Sequence, residues 1–106
     1  MKAILIDSKN KIVKDVEISE KSTLKDWYKQ IGCSMVEVAA YIDAQDSILV
    51  DEEGLYNITA ETGSFYYKGV FSQLYGNGLV VGVDNKGNSV SCKITALEVA
   101  KNVVFL

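Results

Sequence analysis

The residues able to do chemistry are concentrated in the middle of the chain, and most of them are acids. No basic residue occurs between Lys29 and Lys68, while Glu37, Asp43, Asp46, Asp51, Glu52, Glu53 and Glu61 all fall inside that interval. Asp43 and Asp46 flank a turn signal, and Asp51-Glu52-Glu53 close an apolar run. Gathered on one edge, these carboxylates present a surface whose field attracts a basic partner and speeds its association. Solvated hairpin ends give the same pattern, because turns are polar where they meet water. The spacing lacks the alternating acids and glycine of a calcium loop, so no metal site is expected. Two-carboxylate hydrolysis is the one acid-base option these residue types leave, and a domain of this size offers it no second body to form a cleft.

The second group is aromatic. Phe65-Tyr66-Tyr67, Phe71 and Tyr75 lie within eleven residues. Strand alternation puts Phe65 and Tyr67 on one face and Tyr66 on the other. An exposed Tyr66 anchors a protein partner, as does Tyr56, or stacks with Tyr75 on a flat ligand. A small-ligand site of the nucleotide type would use Tyr66, Lys68, Tyr75 and Asn77, with Lys68 its only nearby cation. Core packing competes for the same aromatics. Gly76-Asn77-Gly78 runs into a strand rather than a helix, so it reads as a turn or a close backbone approach, not a phosphate loop. Cys33 follows a helix C-terminus, the wrong end to activate a thiol, and reads as a packing residue. The hydroxyls of Ser22, Thr23, Ser64 and Ser91 have no imidazole to activate them.

The missing residue types exclude more. The 106 residues contain no His and no Pro, and all eleven basic residues are Lys. Without His there is no Ser-His or Cys-His nucleophile pair and no imidazole zinc ligand. Without Arg there is no bidentate phosphate clamp. A net charge of −3 is the wrong sign for a general nucleic-acid binder. A hydrophobic share of 48% with 24% charged residues is globular and sufficient for one domain over residues 1–106. The two cysteines are far apart and predict reduced thiols. The opening MKAILIDSKN is too short in apolar residues for a secretory leader, and no apolar run approaches a membrane span. A soluble cytoplasmic protein without cofactor is expected.

These groups must be positioned by short elements. Lys2 to Asp7 and Ile12 to Ile18 read as a hairpin around Ser8-Lys9-Asn10-Lys11. Ser22 or Thr23 caps a helix with Leu24, Trp27, Tyr28 and Ile31 on one stripe, closed by Gly32. Val36, Val38, Ala40 and Ile42 alternate with Met35, Glu37, Ala39 and Tyr41 in a strand, which turns at Asp43-Ala44-Gln45-Asp46 and returns over Ser47 to Val50. Residues 55–63 have no clear period. Ser64 to Phe71 reads as strand, and Leu79 to Val83 with Asn88 to Cys92 as another hairpin around Asp84-Asn85-Lys86-Gly87. Thr95-Ala96-Leu97-Glu98 is a capping box opening a helix to about Asn102. Val103 to Leu106 is a terminal strand tucked into the sheet, and is free to pair across a two-fold axis in a homodimer. The class is α+β, a mainly antiparallel sheet built from hairpins and packed by two short helices in a single compact domain.

The run Tyr28-Lys29-Gln30-Ile31-Gly32-Cys33, then Val36-Glu37-Val38, then Ile48 to Leu55 (ILVDEEGL) resembles a known family. With Gly76 to Gly82 (GNGLVVG) and the Lys93-Ile94-Thr95 helix start, it is similar in order over nearly the whole chain to domain of unknown function family 3846. That resemblance implies a small protein of phages, plasmids and other mobile elements, and it transfers no catalytic or binding residue. Accessory proteins of that kind act on host machinery. The expectation is therefore a non-enzymatic interaction protein in the host cytoplasm, such as an acidic inhibitor of a basic host defence protein. Asp43, Asp46, Asp51, Glu52 and Glu53 would supply the charge and Tyr56 or Tyr66 the anchor. An oligomeric nucleotide-type ligand binder and a structural or assembly accessory are the alternatives.

Overall fold

The apolar residues of the first strand alternate with no polar face. In β1 (Lys2–Asp7) Ala3 and Leu5 point to one side and Ile4 and Ile6 to the other, and all four are buried. β7 (Gly78–Val83) repeats this with Leu79 and Val81 against Val80. Strands buried on both faces need a cover on each side. A computed structural model, describing residues 1–56, 58–59 and 62–106, shows where the covers come from.

The larger sheet runs β2 (Ile12–Glu17), β1, β7, β4 (Asp46–Asp51), β3 (Val36–Tyr41), with β8 (Ser89–Val90) added beside the far end of β7. Every pairing is antiparallel. Helix α1 (Thr23–Ile31) covers one face, packing Trp27 and Ile31 on Ala3, Leu5, Leu49, Leu79 and Val81. The other face is covered by α2 (Ala96–Asn102) and a second sheet, in the order β6 (Leu74–Tyr75), β5 (Ser64–Tyr67), β9 (Val103–Phe105). Phe65, Tyr67 and Val99 seat there on Ile4, Ile6, Ile48, Val50 and Val80. The α+β class, the two helices and the antiparallel hairpins are those the sequence predicts.

Local signals behave as their chemistry requires. Gly32 sits in the left-handed region at φ 83° and its N–H closes α1 on the Tyr28 carbonyl at 2.7 Å. The Thr95 hydroxyl caps α2 by accepting the Glu98 N–H at 3.2 Å and donates to the Glu98 carboxylate at 3.1 Å, so Glu98 reaches back to the cap through its hydroxyl. Gly78 is required by a close approach, since a Cβ there would stand 2.8 Å from the Phe65 ring.

Four expectations need correction. Ser22 precedes α1 but its side chain makes no cap hydrogen bond, and Leu24 is half exposed, so the stripe packs only from Trp27 onward. β3 does not alternate throughout: its register shifts between Val38 and Ala40, so Val36 joins the α1 face while Ala40 and Ile42 join the opposite one. β5 stops at Tyr67, where Gly69 at φ 91° turns the chain and Phe71 is left fully exposed. The terminal strand enters the small second sheet rather than the main one.

The β3–β4 turn is tied to the start of α2 by one side chain. Asp46 is completely buried, and its carboxylate accepts the Lys93 N–H at 2.9 and 3.0 Å and the Ile94 N–H at 2.8 Å. Asp46→Ala strands these donors, and a loss of about 3 kcal/mol in unfolding free energy is expected by urea denaturation. Three further carboxylates hold turns. Burial opposes the charge on Asp7, but the Asn10 amide and backbone N–H outweigh it, and Asp43 and Asp84 are lowered by backbone N–H groups of Asp46 and Asn88. A depressed folded pKa contributes stability present above the unfolded carboxylate value of about 3.9 and lost as pH falls through the lower folded value. Thermal melts should therefore hold steady down to about pH 5 and fall steeply below about pH 4, and Asp43→Asn should flatten that fall.

Candidate protein-interaction surface

The acidic residues are separated by the strand that carries them. β4 has six residues, so its ends are about 17 Å apart. Asp43 and Asp46 stand at one end, Asp51, Glu52 and Glu53 at the other. The five carboxylates do not share one edge. Asp46 is spent inside the fold, and Asp43 builds its own turn, its Oδ1 accepting the N–H groups of Gln45 and Asp46 at 2.7 Å each. Glu61 lies outside the described residues.

The far end is different. Asp51 shapes a turn, with its Oδ1 accepting the Glu53 N–H at 2.9 Å and its carbonyl the Gly54 N–H at 3.0 Å. The Glu52 N–H bonds the Met35 carbonyl at 3.0 Å, and the Tyr56 N–H bonds the Glu53 carbonyl at 2.9 Å. With the backbone so fixed, Glu52 and Glu53 project into solvent, and among the described residues no lysine lies within ion-pair distance of either. Leu55 and Tyr56 project beside them, 69% and 86% exposed. A groove of about 210 Å³ adjoins this tip, lined by Glu37, Glu52, Leu55, Gln73 and Tyr75. Across Gly54 a smaller hollow of about 160 Å³ is lined by Ile31, Asp51, Tyr75 and Asn77.

The aromatic run divides as alternation requires. Phe65 and Tyr67 are buried, while Tyr66 is 39% exposed on the outer face of the small sheet, opposite Val104. Burial, reinforced by the Glu98 charge, raises the Tyr67 hydroxyl pKa. Tyr75 pairs with Ser64 and so shares the face of Tyr66. Lys68 lies beyond the strand end in a separate groove of about 370 Å³ with Tyr41, Ile42 and Asn102. The Asn77 side-chain Oδ1 is occupied by the Ser8 N–H at 3.0 Å. Tyr66, Lys68, Tyr75 and Asn77 therefore do not converge on one pocket. Leu55 is the surface residue that sequence reasoning passed over; its signal was a large apolar side chain one glycine after three acids, in a stretch without helix or strand period.

Neither thiol is activated. Burial, joined by the Asp51 charge, pushes the Cys33 pKa up, and burial pushes Cys92 up against the opposing effect of Lys2. Among the described residues no group of three or more Cys, Asp or Glu is placed to hold a metal ion, and no helix is long and apolar enough to cross a membrane.

The chain is thus a small α+β domain with an acidic, apolar tip. Over residues 1–101 it matches the family described as Domain of unknown function (DUF3846), and it belongs to that family. No curated protein and no solved structure matches it.

The raised thiol pKa values predict slow alkylation. At pH 7.5 both cysteines should react with iodoacetamide at least about tenfold more slowly than in the urea-unfolded chain, Cys92 slowest, as followed by intact mass.

Proposed function

We propose that this protein is a non-enzymatic interaction protein that binds a basic macromolecular partner through the tip Asp51 to Tyr56. The observation that carries the reading is the pairing, on one fixed turn, of the free carboxylates Glu52 and Glu53 with the exposed side chains of Leu55 and Tyr56. Carboxylates in that position steer a cationic surface into contact, and an exposed tyrosine and leucine supply the apolar anchor that charge alone lacks. A protein that normally grips phosphate, such as a host defence nuclease, has the complementary chemistry. Tyr66 and Asp43 belong to other surfaces and are not needed. The small-ligand reading draws less support, because Tyr75 and Asn77 share one hollow while Lys68 lines a separate groove and Tyr66 lines neither.

The test is capture of host protein on the immobilised chain, followed by titration of the captured partner against variants. Tyr56→Ala is expected to weaken binding at least about 30-fold, equivalent to a hot spot of about 2 kcal/mol. Glu52→Lys with Glu53→Lys should slow association about tenfold and flatten its salt dependence. A partner that binds both variants as tightly as the natural chain sinks the proposal.

A further inference from the structure

The two edges of the larger sheet are unlike each other. β2 is blunted by exposed Lys14, Asp15 and Glu17 and has α2 packed against it. β3 carries one charge, Glu37, and no lysine, and among the described residues it has a ladder partner, β4, on one side only. Val38 is 43% exposed and Tyr41 78% exposed along it. Edges of soluble sheets are usually protected by charge, and this one is not.

We infer that β3 pairs antiparallel with β3 of a second copy about a two-fold axis, so that the larger sheet runs through both chains. The bulge makes the strand self-complementary. In a self-paired strand, directly opposed side chains share a face, which an unbroken strand satisfies only when like parities oppose. Here the register shift exchanges the faces midway. Val36 and Val38 stand on the α1 face with Leu49, and past the shift Tyr41 stands there with Ser47. Glu37, opposite Val50, and Ala40, opposite Ile48, occupy the other face. The register that sets Val36 against Tyr41 and Glu37 against Ala40 therefore matches faces at both ends of the strand, and leaves only the bulge residues Val38 and Ala39, which stand on opposite faces, to meet at the axis. It also keeps the two Glu37 side chains apart, whereas Glu37 opposite itself would repel.

Charge selects the same occupant. Ala40 lines the groove that holds Lys68, and the residue set against Ala40 is the partner subunit's Glu37. Each copy thus brings a carboxylate to the mouth of a groove containing the other's ammonium group. On the opposite face, each Tyr41 lies over the partner subunit's Val36 and covers the apolar hollow formed by Trp27, Val38, Leu49 and Val81. The tip residues Asp51 to Tyr56 border this contact without being paired in it, so the assembly does not depend on the function proposed above.

Sedimentation equilibrium of the full chain tests the pairing. The natural protein should give twice the 11.6 kDa of one chain. Val38→Lys should give the single-chain mass with an unchanged far-ultraviolet spectrum and melting profile. Glu37→Lys and Lys68→Glu should each weaken dimerisation about tenfold or more, and the double exchange should recover most of that loss. A natural chain that stays monomeric up to about 1 mM overturns the inference and leaves the edge to a strand of another protein. A dimer unaffected by Val38→Lys also overturns it and places the contact elsewhere, with β9 next in line. Failure of the double exchange to restore what the single ones lost overturns the register.

Discussion

The fold depends on a carboxylate without solvent. Asp46 is a polar side chain placed where only hydrogen bonding makes it tolerable, and it is satisfied by two consecutive backbone N–H groups from far along the chain. Those donors belong to Lys93 and Ile94, immediately before α2, and no regular strand engages them. By fixing the point where the chain leaves β8, Asp46 sets where α2 begins, and α2 runs straight into β9. The second sheet and the cover over Ile4, Ile6 and Val80 are thereby placed by the first residue of an inner strand of the larger sheet.

The division between what was readable in the sequence and what was not follows the range of the interactions. Thr95 and Glu98, Gly32 after Ile31, and the turn Asp84 to Gly87 act within four residues and declare themselves by type and spacing. The alternation of Phe65, Tyr66 and Tyr67 was likewise sufficient to say which ring faces out. Asp46 was not readable, because an acid in a turn looks solvated unless residues almost fifty positions away are known to bond it. The bulge in β3 was invisible for a related reason: Val38, Ala39 and Ala40 are all compatible with either face, so composition gives no hint of where the register slips. The separation of Asp43 from Asp51 needed only the length of β4, and counting the acids together concealed it.

The candidate surface is built by the same economy. Asp51 uses its side chain to form a turn, which leaves Glu52 and Glu53 free and brings Leu55 and Tyr56 out beside them. A turn that buried its apolar residues would leave an ordinary solvated loop. A turn with exposed apolar residues and no acids would risk indiscriminate sticking, and the carboxylates limit which partners approach. Recognition and restraint come from neighbouring side chains on one short segment.

The strand order carries a consequence for how this chain is made. β1 is an inner strand of the larger sheet, and its neighbour β7 begins at Gly78, so residues 2–7 wait for residues 78–83. During that interval Ile4, Ile6 and Leu5 have only the β1–β2 hairpin to shelter them, and Asp46 has no donors until residue 94 has emerged. A nascent chain cannot settle half of this domain in advance; the domain closes nearly all at once, when the residues of β7, α2 and β9 are available.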